Sequence, residues 1–300
     1  MARTLDQFVI FTTDSVGIER ILRLFQALAQ VFASCALPFE LLLTLIATWT
    51  GREASPELTL AILVSLKQRF NLARRFFRIF RFVESFRDAQ KLYSSVQEKQ
   101  GSPASPSTRV VGADVWLDIF AKTFNGMYLL LETSTMLDVL DIDGLAVWDR
   151  ATRTSINIEA QRFWLFALVC GMLSGLWKMF CIMAYAPVPQ VVAVGGGAAA
   201  DGGVAEKEKT QGSSKDEATA LKEEQARLRE VAADREARRQ QTRTKMYKLG
   251  RGALACAFDI TIPGAVVGWL DLDDGTVGSA MVVSTILTGL AVWEKCGEQL

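Results

Sequence analysis

The sequence predicts an all-α fold, a helical membrane protein with amphipathic N-terminal helices and one or two transmembrane helices. Three observations predict it. Half of the 300 residues are hydrophobic and mean hydropathy is +0.20. That is high for a soluble chain and low for one built mainly of spans, so a partly embedded chain with sizeable polar segments fits. Two runs, near 163–186 and 276–293, are apolar and long enough to cross a bilayer. Between Leu66 and Leu92, phenylalanine and basic residues recur with the helical period and separate onto opposite faces.

Residues 1–100 read as an N-terminal helical region. Asp14 can cap a helix over 14–49, along which Val16, Ile18, Ile21, Leu22, Leu24 and Phe25 carry the apolar pattern. Pro38 should break or kink it. Phe39–Trp49 is apolar but interrupted by Glu40, which reads as an amphipathic or buried helix rather than a span. Glycine is absent between Gly51 and Gly101, so one long helix is expected over residues 57–98. The stretch GSPASPST at 101–108 is a loop.

Residues 109–186 form a second helical region. Trp116, Ile119, Phe120, Phe124, Met127 and Tyr128 give residues 113–140 a broad apolar face. Phe163–Trp177 is 15 residues without a charge; Lys178 follows, and Met179–Ala186 continues the span. Lys178 is costly inside a bilayer unless it reaches an interface. Residues 187–250 are a low-complexity and charged linker. Its Gly/Ala part is flexible, and its acid–base alternation over 206–248 reads as a solvated single helix or as disorder. In the C-terminal region, 251–300, Thr276–Trp293 is 18 residues without a charge. Gly171 and Gly175, and Gly264 and Gly268, have the small-xxx-small spacing that lets helices approach closely, and are candidates for self-association.

The chemistry concentrates in the amphipathic helix at 66–92. Leu66, Phe70, Ala73, Phe76, Phe77, Phe80 and Val83 share one helix face; Lys67, Arg74, Arg75, Arg78 and Arg81 fall on the other. Residues 58–83 hold six basic residues and no acid. Such a helix can lie in a membrane interface, with Phe70, Phe76, Phe77 and Phe80 inserted and the five cations on anionic lipid phosphates. Each basic residue contributes on the order of 1 kcal/mol on anionic lipid, and each buried phenylalanine about 1.5–3 kcal/mol. A helix wedged into one leaflet expands it and favours curvature. The competing reading packs the phenylalanine face inside the protein as ordinary core. A calmodulin-type target helix shares the signature. Binding of single-stranded nucleic acid would mix arginines and aromatics on one face.

Other functions are disfavoured. The chain has no histidine, which removes the commonest general base and metal ligand. Cys35, Cys170, Cys181, Cys256 and Cys296 show no metal-ligand or disulfide spacing. Lys+Arg and Asp+Glu both number 33, so no global charge favours nucleic acid. Asp141–Gly144 and Asp271–Gly275 resemble pieces of calcium loops but lack the terminal ligand, and read as turns and caps. Gly195–Gly197 lacks the Gly-Lys-Ser/Thr of a phosphate loop. The N-terminus lacks a secretory signal pattern, and the C-terminus is not a Ser-Lys-Leu import address. No cofactor, metal or enzymatic activity is expected.

Several stretches together resemble the peroxin eleven family, the peroxisomal membrane-elongation peroxins. They are Gly17 with Arg20 and Leu22–Gln26; Ala73–Glu84; Tyr128–Glu132; Arg162–Leu165; and Ile262-Pro263, Gly268-Trp269 and Gly278. They occur in family order and cover most of the chain outside 187–250. The resemblance implies a peroxisomal membrane protein that elongates the membrane before fission and so controls proliferation. It also implies a homo-oligomer, contact with fission factors including a dynamin-like GTPase, and cytosolic termini. Arg150, Arg153 and Arg162 before the first span agree with that orientation. Two alternatives remain. One is a small-solute channel, for which Ser174, Lys178, Ser284 and Thr288 offer the polar groups within the spans. The other is a membrane-bound interaction scaffold.

Overall fold

The computed structural model describes residues 2–53, 55–101, 112–140, 142, 144–184 and 214–300. Residues 102–108 of the expected loop, the linker to residue 213 with Gly195–Gly197, and Asp141 and Asp143 lie outside them. Among the described residues the chain is helical and has no strands. Two compact units are present, Met1–Met179 with Lys248–Leu300, and Phe180–Tyr247. The second holds the charged part of a helix running Ser214–Asp259 (α9), exposed over 229–245. Of the two readings of 206–248, the described part takes the solvated helix.

In the first unit, α1 (Ala2–Thr13) was not anticipated from its short apolar run. Its Gln7 Nε2 donates to the Trp293 carbonyl at 2.7 Å, and Phe11 meets the Trp293 ring edge-on at 5.7 Å. The turn into α2 (Ser15–Ser34) is capped by Asp14, whose carboxylate accepts from Gly17 N at 3.3 Å, as the sequence predicted. A Cβ on Gly17 would stand 1.9 Å from the Phe11 carbonyl oxygen. Backbone cannot yield as a side chain does, so Gly17→Ala should displace α1 and cost about 1–3 kcal/mol. The check is faster proteolysis within α1 together with a lower unfolding midpoint.

α2 is the central helix. It packs against α4 (Pro56–Phe76) and α11 (Asp274–Gly297). Gly278 makes the α11 crossing close: a Cβ there would lie 3.1 Å from the side chains of Gln30 and Val31. α2 ends at Cys35, three residues before Pro38, and α3 (Ala36–Thr50) leaves at 99°. Pro38 therefore sits in the first turn of α3, where no N–H is needed, and the expected break is displaced. α3 buries none of its residues, and Trp49 is 89 % exposed. This excludes the buried helix among the two alternatives at 39–49; Glu40, Thr44 and Thr48 keep one polar stripe on an otherwise apolar helix.

The expected continuous helix over 57–98, and with it the single amphipathic helix 66–92, is also corrected. α4 ends at Phe76 and α5 (Arg81–Gly101) starts after a tight turn. Arg78 N donates to Arg75 O and Arg81 N to Arg78 O, each at 3.0 Å. The Ile79 carbonyl, freed by the turn, accepts from Thr133 Oγ1 at 3.1 Å.

α5 packs along α6 (Ala113–Ser134), which leads through a short α7 (Met136–Val139) to α8 (Arg150–Ala184). After α9, α10 (Thr261–Val267) ends at Gly268 in the left-handed conformation. α8, the stretch 229–267 through α9 and α10, and α11 are long and apolar enough to cross a membrane. The bent α2–α3 pair makes a fourth if it is one span. The stretch through α9 and α10 is the one the sequence reading missed. Arg251 and Asp259 mask its apolar character, yet both are buried and paired within the unit.

Candidate functional site

The inward stripe of α2 is polar. Glu19, Arg23, Gln26 and Gln30 recur at helical spacing and are all buried. α4 and the turn after it bring Arg74 and Arg78 to them, α6 brings Tyr128 and Glu132, and α9 brings Asp259. Glu19 Oε1 accepts from Arg74 Nε at 3.1 Å and Nη2 at 3.0 Å, while Arg74 Nη1 donates to Gln26 Oε1 at 2.6 Å. Arg78 Nη2 donates to Glu132 Oε1 at 2.8 Å and Nη1 to the Tyr128 hydroxyl at 3.3 Å. Arg23 pairs with Asp259 and reaches Ser284 Oγ at 3.4 Å. The Arg78 guanidinium also lies 5.9 Å from the Tyr128 ring centre, and Trp164 stacks on that ring at 5.2 Å.

Burial, and after it the charge of Arg78, pushes Arg74 down to about 9, with Glu19 pulling the other way. Burial also opposes the charge of Arg78, but Glu132 and Tyr128 outweigh it and the pKa is raised. Burial raises the Tyr128 hydroxyl. The network is thus cation-rich and held by few carboxylates.

Arg74 and Arg78 do not form an outward phosphate-binding face. They are buried, because Glu19, Gln26, Tyr128 and Glu132 satisfy them inside. Arg75 is largely turned in as well, 3.5 Å from Glu132. Lys67 is paired with Asp274 at 3.3 Å, and Arg81 is half-buried. The phenylalanines are the reverse. Phe76, Phe77 and Phe80 are 49 %, 40 % and 79 % exposed, while Phe70 stacks on Phe25 at 5.7 Å. The competing core reading placed this Phe face inside; the side chains at and beyond the end of α4 have the opposite arrangement. Arg69 and Arg87, not singled out in the sequence, are exposed cations on these helices, as is Lys91 farther along α5.

Leu58, Ile62 and Leu66 continue the exposed apolar surface along α4, and Phe180 and Met183 extend that of α8. Exposed apolar side chains in such number mark surface that meets lipid or a partner. Polar inside and apolar outside is the arrangement expected where lipid is the solvent.

The glycine pairs are used within the chain. A Cβ on Gly171 would lie 3.8 Å from Cys256 Sγ, and one on Gly175 3.5 Å from Ala253 Cβ, so this face of α8 packs on α9. Gly264 lies under Leu270, and Gly268 supplies a positive φ of 81°. Gly171, Gly175 and Gly264 are therefore engaged within the chain, whereas a Cβ on Gly268 would meet nothing within 4 Å.

Lys178, anomalous in the first span, pairs with Asp118 of α6, and Ser174 Oγ donates to the same carboxylate. In a bilayer, an unpaired lysine costs about 3 kcal/mol. Asp118→Ala should lower the unfolding midpoint of the reconstituted protein, and adding Lys178→Met should restore most of the loss. A double variant no better than the single one would dismiss the pair. Of the acidic runs, Asp273 caps α11 by accepting from Thr276 N at 2.9 Å, which is the cap role expected at 271–275.

Three of the stretches that carried the resemblance meet in one place. Arg78 from 73–84, Tyr128 and Glu132 from 128–132, and Trp164 from 162–165 contact one another, and Trp269 meets Phe166 at 6.1 Å. A family model described as peroxisomal biogenesis factor 11 (PEX11) matches residues 42–293. No curated protein and no solved structure matches the chain.

Proposed function

The chain belongs to the peroxisomal biogenesis factor 11 family, and so to the peroxisomal membrane and to peroxisome proliferation; from that premise we propose that it elongates the membrane by inserting the phenylalanine face at the end of α4. The observation that carries this reading is the outward position of Phe76, Phe77 and Phe80 over a core that retains the arginines. The phenylalanines enter the acyl region. Arg69, Arg81 and Arg87 lie at headgroup level, and the buried ion pairs keep the wedge rigid. A rigid wedge transmits the lateral expansion of one leaflet as curvature, which a flexible helix would dissipate.

The reading includes self-association, recruitment of fission factors including a dynamin-like GTPase, and cytosolic termini; the family resemblance supports these. A channel formed by one chain finds little support. Ser174 and Lys178 are held by Asp118, while Ser284 and Thr288 bond carbonyls of their own helix. The test is reconstitution of the full chain into liposomes with and without anionic lipid, followed by electron microscopy. Tubules dependent on protein density and favoured by anionic lipid are expected. Round, ion-conducting vesicles would reject elongation in favour of a channel.

A further inference from the structure

We propose that the cavity between α2, α4, α6, α8, α10 and α11 binds the phosphate group of one phospholipid, with Arg75 as the residue that holds it. The cavity has a volume of about 430 Å³. Arg23, Lys67, Arg74, Arg75 and Arg78 reach its wall. Four carboxylates answer these five cations: Asp259 pairs with Arg23, Asp274 with Lys67, Glu19 with Arg74 and Glu132 with Arg78. Glu19 is shared again with Arg20, 3.5 Å away.

Arg75 is left over. Its Nε lies 3.5 Å from Glu132 Oε1, an atom that already accepts from Arg78 at 2.8 Å and from the Tyr128 hydroxyl at 3.1 Å. The Nε groups of Arg75, Arg23 and Arg78 are buried without a hydrogen-bond partner. Buried donors without acceptors and a buried cation that must share another's counter-ion are both unfavourable. One oxyanion relieves both, and phosphate is the group that arginine N–H donors fit best. A phosphodiester carries one negative charge, which is the surplus of the cavity-wall cations over the four carboxylates paired with them.

The apolar part of the lining selects the rest of the ligand. Trp164, Ile262, Val266, Val277 and Met281 also line the cavity. Free phosphate would leave these side chains uncovered, whereas the glycerol and first acyl carbons of a phospholipid would cover them. Lys67 and Asp274, the most exposed of the four pairs, mark the mouth. This site differs from the outward phenylalanine surface: it is saturable, takes one lipid per chain, and stands whether or not the chain elongates membranes.

The test uses the full chain purified in a neutral, phosphate-free detergent. Short-chain phosphatidylglycerol and inorganic phosphate are titrated separately, with native mass spectrometry for stoichiometry and thermal unfolding for affinity. One lipid per chain is expected, binding more tightly than inorganic phosphate. Arg75→Gln should weaken lipid binding about tenfold, with Arg75→Lys intermediate. The variant Phe76→Ala/Phe77→Ala/Phe80→Ala should keep the wild-type affinity. Absence of saturable lipid binding to the wild type would overturn the proposal, as would equal affinity in Arg75→Gln. Inorganic phosphate binding as tightly as the lipid would overturn the lipid assignment.

Discussion

Glu19→Ala is expected to destabilise the protein by about 3–5 kcal/mol, the usual cost of removing one partner of a buried ion pair. Glu19 is 2 % exposed and is the anion nearest to Arg74, which it holds through both Nε and Nη2. Its other carboxylate oxygen lies 3.5 Å from Arg20. Without it, Arg20, Arg23, Arg74 and Arg78 face one another across α2 and α4 with one counter-ion fewer. The cost comes mostly from the stranded cations rather than from the lost bond. Glu19→Leu combined with Arg74→Met should therefore recover most of the stability. Chemical unfolding in detergent of the two single variants and the double variant measures this as a coupling energy. A loss under about 1 kcal/mol in Glu19→Ala would mean that the pair behaves as a surface pair.

The second large effect concerns the membrane. Replacing Phe76, Phe77 and Phe80 together by alanine removes three side chains that contribute no internal ring contact among the described residues. Full burial of each in lipid would contribute about 1.5–3 kcal/mol. Scaled by their exposure, the triple variant loses about 3–5 kcal/mol of insertion for this face. Tubule yield from liposomes should fall about tenfold or more, since each 1.4 kcal/mol is a factor of about ten. Phe76 and Phe77 are also about half covered by the protein, so the triple variant should lose some stability too; Phe80→Ala alone, 79 % exposed, should reduce tubulation with little change in the unfolding midpoint and so separates this loss from misfolding. Conversely, Arg69→Glu with Arg87→Glu should leave insertion intact and reduce the preference for anionic lipid.

The helical class, the Asp14 cap and the apolar runs of α8 and α11 were legible in the sequence because they rest on local spacing and charge. The segregation of Phe from Arg along 66–83 was legible too. Which of the two faces pointed inward was not. A helical period is symmetric between inside and outside until the partner is known, and the partners Glu19, Gln26, Tyr128 and Glu132 lie 48–55 residues from Arg74 or Arg78 in sequence. One signal was available: Glu19 and Gln26 lie on the same stripe of a largely apolar helix, which calls for buried partners of opposite charge. The turn at 77–80 was invisible because no proline or glycine marks it; it is set by Arg78 reaching α6. The stretch through α9 and α10 escaped because Arg251 and Asp259 look like surface charges until their partners Glu294 and Arg23 are in place.

The proposed function puts the arginines inside and the phenylalanines in lipid. Its most direct test is the depth of residue 80 in the bilayer. A single cysteine replaces Phe80 in a background with the five native cysteines changed to serine or alanine, and carries an environment-sensitive fluorophore. The same label at Lys91, exposed on α5, serves as reference. Full-length protein is reconstituted in liposomes containing lipids with quenchers at graded acyl depths. A blue-shifted label at 80, quenched from within the acyl region, and a water-like label at 91 are expected. A label at 80 that stays water-like and is quenched by aqueous iodide would contradict it.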